Sequence, residues 1–165
     1  MKTIRYGTFE TNSSSCHSLI LVKKDDFEKF KNHEMVLHMG GFGISNELLT
    51  KRGWQPEGGQ DGMLLTWQDA RDEYVKWIKE EGSFGENRIR DLGYINKKFH
   101  KADDLTVEAF KEVILTGKKK SFIFGDFKSY EQWEEGYSDW DTPMPSTWSV
   151  NSDGLVEMET NWRDG

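Results

Sequence analysis

The sequence predicts one α+β domain over residues 1–165: a small mixed or antiparallel sheet packed with two main helices and finished by a C-terminal β-hairpin. Three observations carry this. Trp67, Ala70, Tyr74, Trp77 and Ile78 recur at helical spacing, which predicts an amphipathic helix over 67–81. Val107, Phe110, Val113 and Ile114 repeat the pattern and predict a second over 107–115. Asn151-Ser152-Asp153-Gly154 is a turn signal between runs 147–150 and 155–162, which predicts a hairpin.

The elements follow in chain order. Residues 2–6 are a short strand, with Ile4 and Tyr6 on one face. Leu19, Ile20, Leu21 and Val22 are consecutive, so 18–23 reads as a strand covered on both faces. The two strands would pair as a hairpin or lie in one sheet. Early carboxylates at Asp25 and Asp26, with Phe27 and Phe30 spaced behind them, predict a helix to about His33. Residues 35–39 are another strand. Residues 40–43 break it, and 45–51 form a helical turn capped by Ser45. The Gly-rich step before this turn could cradle a phosphate or be a plain turn, and it lacks the spacing of a nucleotide-binding loop. Four glycines and one proline make 53–63 a loop.

Thr66 can cap the 67–81 helix and Gly82 can end it. Residues 83–104 are mixed, with one or two helical turns broken at Gly93. Thr106 caps the second helix, Leu105 and Phe110 are placed as a hydrophobic staple, and Gly117 ends it before Lys118-Lys119-Lys120. Ser121-Phe122-Ile123-Phe124 reads as a strand. Ser129 with Gln132 matches a capping box and predicts a helix to Glu135.

Composition narrows the class. Aromatic content of 13% is too high for a disordered chain. One cysteine among 165 residues leaves no internal disulfide and fits a reducing cytosol. No run approaches the roughly 20 apolar residues of a membrane helix. No apolar leader follows Met1, so a cytoplasmic protein with no membrane contact is expected. The net charge of −7 is uneven. Residues 126–165 hold ten Asp/Glu against two Lys/Arg, and the rest holds 19 against 20. Direct nucleic-acid binding is not expected of this balance, because phosphate contacts need clustered cations.

The densest polar chemistry lies at residues 9–18, between two apolar runs. Thr11, Asn12, Ser13, Ser14, Ser15 and Ser18 are turn formers whose hydroxyls satisfy nearby backbone. That makes a plain connection one reading. Successive N–H groups beside hydroxyls also suit an anion, which makes these residues a candidate ligand loop. In a third reading His17 acts as base, Glu10 orients it or takes the proton, and a serine or Cys16 is the nucleophile. Adjacent residues on an extended chain point to opposite faces, which weakens the Cys16–His17 pairing.

The string Arg5-x-Gly7-x-Phe9-Glu10-Thr11-Asn12-Ser13-Ser14-Ser15-x-His17-Ser18 resembles the N-terminal signature of a family of small bacteriophage and prophage proteins of no assigned activity. The likeness is confined to this stretch. Cys16 stands at the variable position, where Thr or Ser is usual, which argues against an essential thiol. By context the resemblance implies an accessory protein that interferes with host machinery or defence.

A second candidate is the C-terminal quarter, 126–165. Trp133, Tyr137, Asp139, Trp140 and Asp141 are the candidate interface, with aromatic anchors among carboxylates that steer a basic partner; the other reading is a solvated acidic surface with the Trp rings inside. Glu134, Glu135, Asp139 and Asp141 lack the spacing of a metal site, and the four histidines are scattered, so neither metal nor cofactor is expected. The function expected is binding: a phage-type accessory protein that inhibits a host protein or sequesters a small anionic or nucleotide ligand. The alternative is a small enzyme acting on a nucleotide or phosphoester through Glu10, His17 and the Ser-rich loop.

Overall fold

A computed structural model describes residues 16–39, 62–117, 127–135 and 146–162. The elements are β1 (Cys16–Lys23), α1 (Lys24–Lys31), β2 (Met35–Met39), β3 (Gly62–Thr66), α2 (Trp67–Glu80), α3 (Gly82–Ile95), a 3₁₀ turn (Ala102–Asp104), α4 (Val107–Thr116), β4 (Phe127–Lys128), α5 (Tyr130–Glu135), β5 (Thr147–Val150) and β6 (Leu155–Trp162). The fold class is α+β, and the strands form two antiparallel three-stranded sheets, ordered β1-β6-β5 and β3-β2-β4.

The β3-β2-β4 sheet is the middle layer. β2 and β3 are apolar at consecutive positions over 35–37 and 63–65, and the alternation of a strand sends successive side chains to opposite faces. Val36, Met63, Leu65 and Phe127 pack under α2, α3 and α4 with Tyr74, Ile78, Leu92, Phe110 and Ile114. Met35, Leu37 and Leu64 face the other way, onto Ile20, Val22, Val156 and Met158 of the outer sheet. Phe27, Phe30 and Trp133 fill the space between the sheets from α1 and α5. Each such buried side chain contributes about 1.5–3 kcal/mol through removal from water.

Several elements stand where the sequence puts them. Thr66 Oγ1 accepts from the Asp69 backbone N–H at 3.1 Å to start α2, and Thr106 Oγ1 accepts from Ala109 N–H at 3.1 Å to start α4. The C-terminal hairpin has the expected bounds, and Asn151 Oδ1 accepts from the Asp153 and Leu155 N–H groups at 2.9 and 3.0 Å. The segments 2–6, 40–51 and 121–124 lie outside the described residues.

Three expectations are corrected. β1 begins at Cys16 rather than Ser18, because its ladder with β6 continues to a Cys16–Trp162 pair; β6 is thus its partner. Residues 62–66 are a strand, although the glycines predict a loop through Met63. Pairing with β2 decides this, and Gly62 is part of the reason. A β-carbon there would stand 2.7 Å from the His38 carbonyl oxygen and 3.0 Å from Ile20 Cδ1, so the sheets approach where only glycine fits. Finally, Gly82–Ile95 is one continuous helix that runs through Gly93. Its packing on α2 through Leu92 and Gly85 outweighs glycine's cost within a helix, about 1 kcal/mol.

The two glycines of α3 should respond in opposite ways to substitution. A β-carbon at Gly85 runs into the Ile78 carbonyl oxygen, whereas one at Gly93 meets only the Phe99 carbonyl oxygen at 3.4 Å. Gly85→Ala is expected to destabilise by about 1–3 kcal/mol through overpacking. Gly93→Ala is expected to be neutral or to stabilise by up to about 1 kcal/mol. Urea denaturation of the two variants measures the contrast, and equal losses would contradict the α2–α3 packing described.

Candidate functional site

The clearest convergence of polar and aromatic chemistry among the described residues surrounds α5. The helix starts at the expected capping box: Ser129 N–H donates to Gln132 Oε1 at 2.9 Å, and Gln132 N–H donates to Ser129 Oγ at 3.3 Å. Gln132 Nε2 also donates to the Ile114 carbonyl at 2.7 Å, which ties α5 to the end of α4. Trp133 then turns inward. It is 1% exposed, and its indole N–H donates to Thr160 Oγ1 at 2.7 Å. With Trp133 directed into the core, Glu131, Glu134 and Glu135 are exposed and Tyr130 is half-buried at the rim.

The rim is completed by α1, the turn after it, and β5. Trp148 leans on Phe27 with ring centroids 4.7 Å apart, yet stays 41% exposed. Lys31 Nζ lies 5.3 Å from the Trp148 ring centroid and 5.9 Å from that of Phe27, in cation–π range. Tyr130 stacks edge-on against Phe30 at 5.6 Å. Burial first, and then the Glu134 carboxylate that accepts its hydrogen bond, push the Tyr130 phenol up to about 12. The Trp148 indole hydrogen-bonds to the same phenol oxygen. Trp148, Tyr130 and Glu134 are therefore a connected chain of donors and acceptors.

His33 closes the other end. Its backbone is in the left-handed region, φ 65, where the chain reverses from α1 into β2. The Trp67 indole N–H donates to its carbonyl at 2.7 Å and fixes the turn. Its imidazole Nε2 donates to Glu131 Oε1 at 2.6 Å. Partial burial pushes the Glu131 carboxyl up, but its own backbone N–H, His33 and the Ser129 hydroxyl together hold it below the usual glutamate range.

The expected site residues divide as follows. Trp133 was expected at an interface, and its burial corrects that: it anchors the surface from beneath. Tyr137, Asp139, Trp140 and Asp141 lie outside the described residues, as do Glu10, Thr11, Asn12, Ser13, Ser14 and Ser15. His17 and Ser18 fall on β1 opposite Asn161 and Thr160. His33 carried no signal in the sequence, because its partner is 98 residues away. Among the described residues no three His, Cys, Asp or Glu side chains gather to share a metal ion, and no helix is long and apolar enough to cross a membrane.

A cleft of about 330 Å³ lies between α2 and the 3₁₀ turn. Four of its charged side chains form two pairs. Arg71 Nε donates to the Leu105 carbonyl at 2.7 Å and its Nη1 meets Asp72 at 2.9 Å, while Lys79 Nζ meets Asp103 at 2.8 Å. The hydrogen bond from Lys79 is the main cause holding the Asp103 carboxyl below its usual range. These contacts strap the 3₁₀ turn to α2. No family model, curated protein or solved structure matches the chain.

The His33–Glu131 pair has a measurable signature. Because the Glu131 carboxyl is held low in the folded chain, its contribution to stability is present above the unfolded glutamate value and is lost as pH falls through the folded one. Both side chains are well exposed, so the contribution is small. A carbon-detected NMR titration should place the Glu131 midpoint below that of exposed glutamates, and His33→Ala should raise it. An unmoved midpoint would show that His33 does not hold the carboxylate in solution.

Proposed function

We propose that this chain is a phage-type accessory protein that acts by binding, and that the surface formed by α5, β5 and the end of α1 docks a basic face of a host protein. The observation that carries this reading is Trp148: a large apolar ring, 41% exposed, supported from below by Phe27 and hydrogen-bonded to Tyr130. A half-exposed aromatic with a rigid footing and a polar tip is the side chain that supplies most binding energy at protein interfaces. Glu134 stands beside Tyr130, Glu131 and Glu135 are exposed on the same short helix, Lys31 covers one side of the ring, and the whole 126–165 segment is acidic. Such a field speeds encounter with a basic partner and is screened by salt.

The resemblance of the N-terminal string to phage and prophage proteins supports the choice of a host target. Interference with nucleic-acid-handling host machinery suits an acidic surface, since the phosphate-binding faces of such proteins are cationic. Sequestration of a small anion by Thr11, Asn12, Ser13, Ser14, Ser15 and Ser18 is the companion expectation, and turnover by Glu10 and His17 is the enzymatic one. The geometry around Trp148 favours the protein partner.

Affinity purification from bacterial lysate with the full chain tests this reading. A basic protein should be retained at low salt and released as salt rises. Trp148→Ala is expected to cost about 2 kcal/mol of binding, and Glu134→Lys to slow association. Retention that is equal for wild type, Trp148→Ala and Glu134→Lys would overturn the assignment of this surface.

A further inference from the structure

The geometry points to a second, oppositely charged surface, at the C-terminal end of α3 and the turn that follows, which binds single-stranded nucleic acid. Residues 82–101 carry five Lys/Arg against two Asp/Glu in a chain whose net charge is −7. Tyr94, the most exposed large aromatic among the described residues at 70%, lies one helical turn after Arg90. Lys97 and Lys98 follow directly, both exposed, then His100 and Lys101, also exposed.

The turn holds these groups in place. Asn96 Oδ1 accepts from the Lys98 backbone N–H at 2.9 Å, and Phe99 N–H donates to the Asn96 carbonyl at 2.9 Å. Phe99 is buried against the helical core, so the residues on either side of it stay at the surface. Asp104 Oδ2 accepts from the N–H groups of His100 and Lys101 at 2.8 and 3.0 Å. The cations are thus presented on a fixed backbone.

Part of the nearby negative charge is engaged elsewhere: Asp91 pairs with Arg88 at 3.4 Å and Asp103 with Lys79 at 2.8 Å, whereas Asp104 accepts from the His100 and Lys101 N–H groups and faces the Lys101 charge. Glu86, one turn before Arg90, is the remaining carboxylate of α3, and among the described residues Arg90, Lys97 and Lys98 make no ion pair with it or any other. Lys97 and Lys98 directly follow the Asn96 C-cap, at the negative end of α3, whose last turn holds no basic residue.

Exposed cations at Arg90, Lys97 and Lys98, within a few residues of an exposed aromatic side chain, match one chemistry closely. A single strand offers evenly spaced phosphates for Arg90, Lys97 and Lys98, and an unpaired base to stack on Tyr94. Duplex DNA hides its base faces, a lipid surface has none, and an acidic peptide supplies charge without a stacking partner. The whole-chain charge, which argues against nucleic-acid contact, averages over this local excess. The surface sits on the helical layer, whereas the Trp148 surface belongs to the outer sheet, so the two readings stand or fall separately.

Fluorescence anisotropy of a labelled oligothymidylate with the full chain tests the inference. Wild type should bind at low salt, with log affinity falling against log salt at a slope of about −2 for three phosphates. Tyr94→Ala should weaken binding about tenfold, the loss of one stacked base. Lys97→Gln with Lys98→Gln should make the slope shallower by about 1.4. Arg90→Gln probes the helix independently, and Trp148→Ala should leave oligonucleotide affinity unchanged. Any of three results would overturn the proposal: no salt-dependent binding by wild type, equal affinity for poly-glutamate and the oligonucleotide, or preference for phosphatidylserine vesicles over both.

Discussion

Burial of the β3-β2-β4 sheet on both faces is the constraint from which the rest of the structure follows. A strand buried on even one face is strongly fixed in register, because a one-residue slip exposes its apolar set, and one covered on both faces must also fit the shapes of two sets of neighbours. Val36 and Leu65 demand apolar cover from the helices, while Leu37 and Leu64 demand it from the outer sheet. That double requirement draws the N-terminal and C-terminal strands, β1 and β6, together over the middle layer. It also leaves a gap at one end of the sandwich, which Phe27, Phe30 and Trp133 fill.

The aromatic filling links stability to surface. Trp133 is held by its hydrogen bond to Thr160 on β6, and this fixes the rotation of α5 about its axis. A six-residue helix has little stability of its own, so packing and the Ser129–Gln132 cap decide both its existence and its orientation. Once Trp133 points inward, the carboxylates at 131, 134 and 135 are exposed, and Tyr130 is left where it can meet Trp148. The acidic surface is in this sense a by-product of core packing. The tie from Gln132 to the Ile114 carbonyl joins the same helix to the other core.

Charge is distributed between layers. The outer sheet and α5 carry the acidic, aromatic surface, and the far end of the helical layer carries the basic one. Between them, the Arg71–Asp72 and Lys79–Asp103 contacts neutralise the outer side of α2. Screening confines each field to about 10 Å at moderate salt, so the local charge at a surface can differ in sign from the −7 of the whole chain.

The sequence by itself determined the elements that local chemistry can start and stop. Thr66, Thr106, Ser129 with Gln132, and Asn151 each satisfy backbone groups within a few residues, so the starts of α2, α4 and α5 and the terminal hairpin are legible from spacing. Tertiary structure decided whatever depends on a distant partner. Gly62 enters a strand because β2 and Ile20 wait beside it, and Gly93 stays helical because α2 covers α3. Trp133 looks the same in sequence whether it faces a partner or the core, and only the cavity between the sheets chooses. His33 and Glu131 meet across 98 residues, a separation over which no periodicity or spacing carries information.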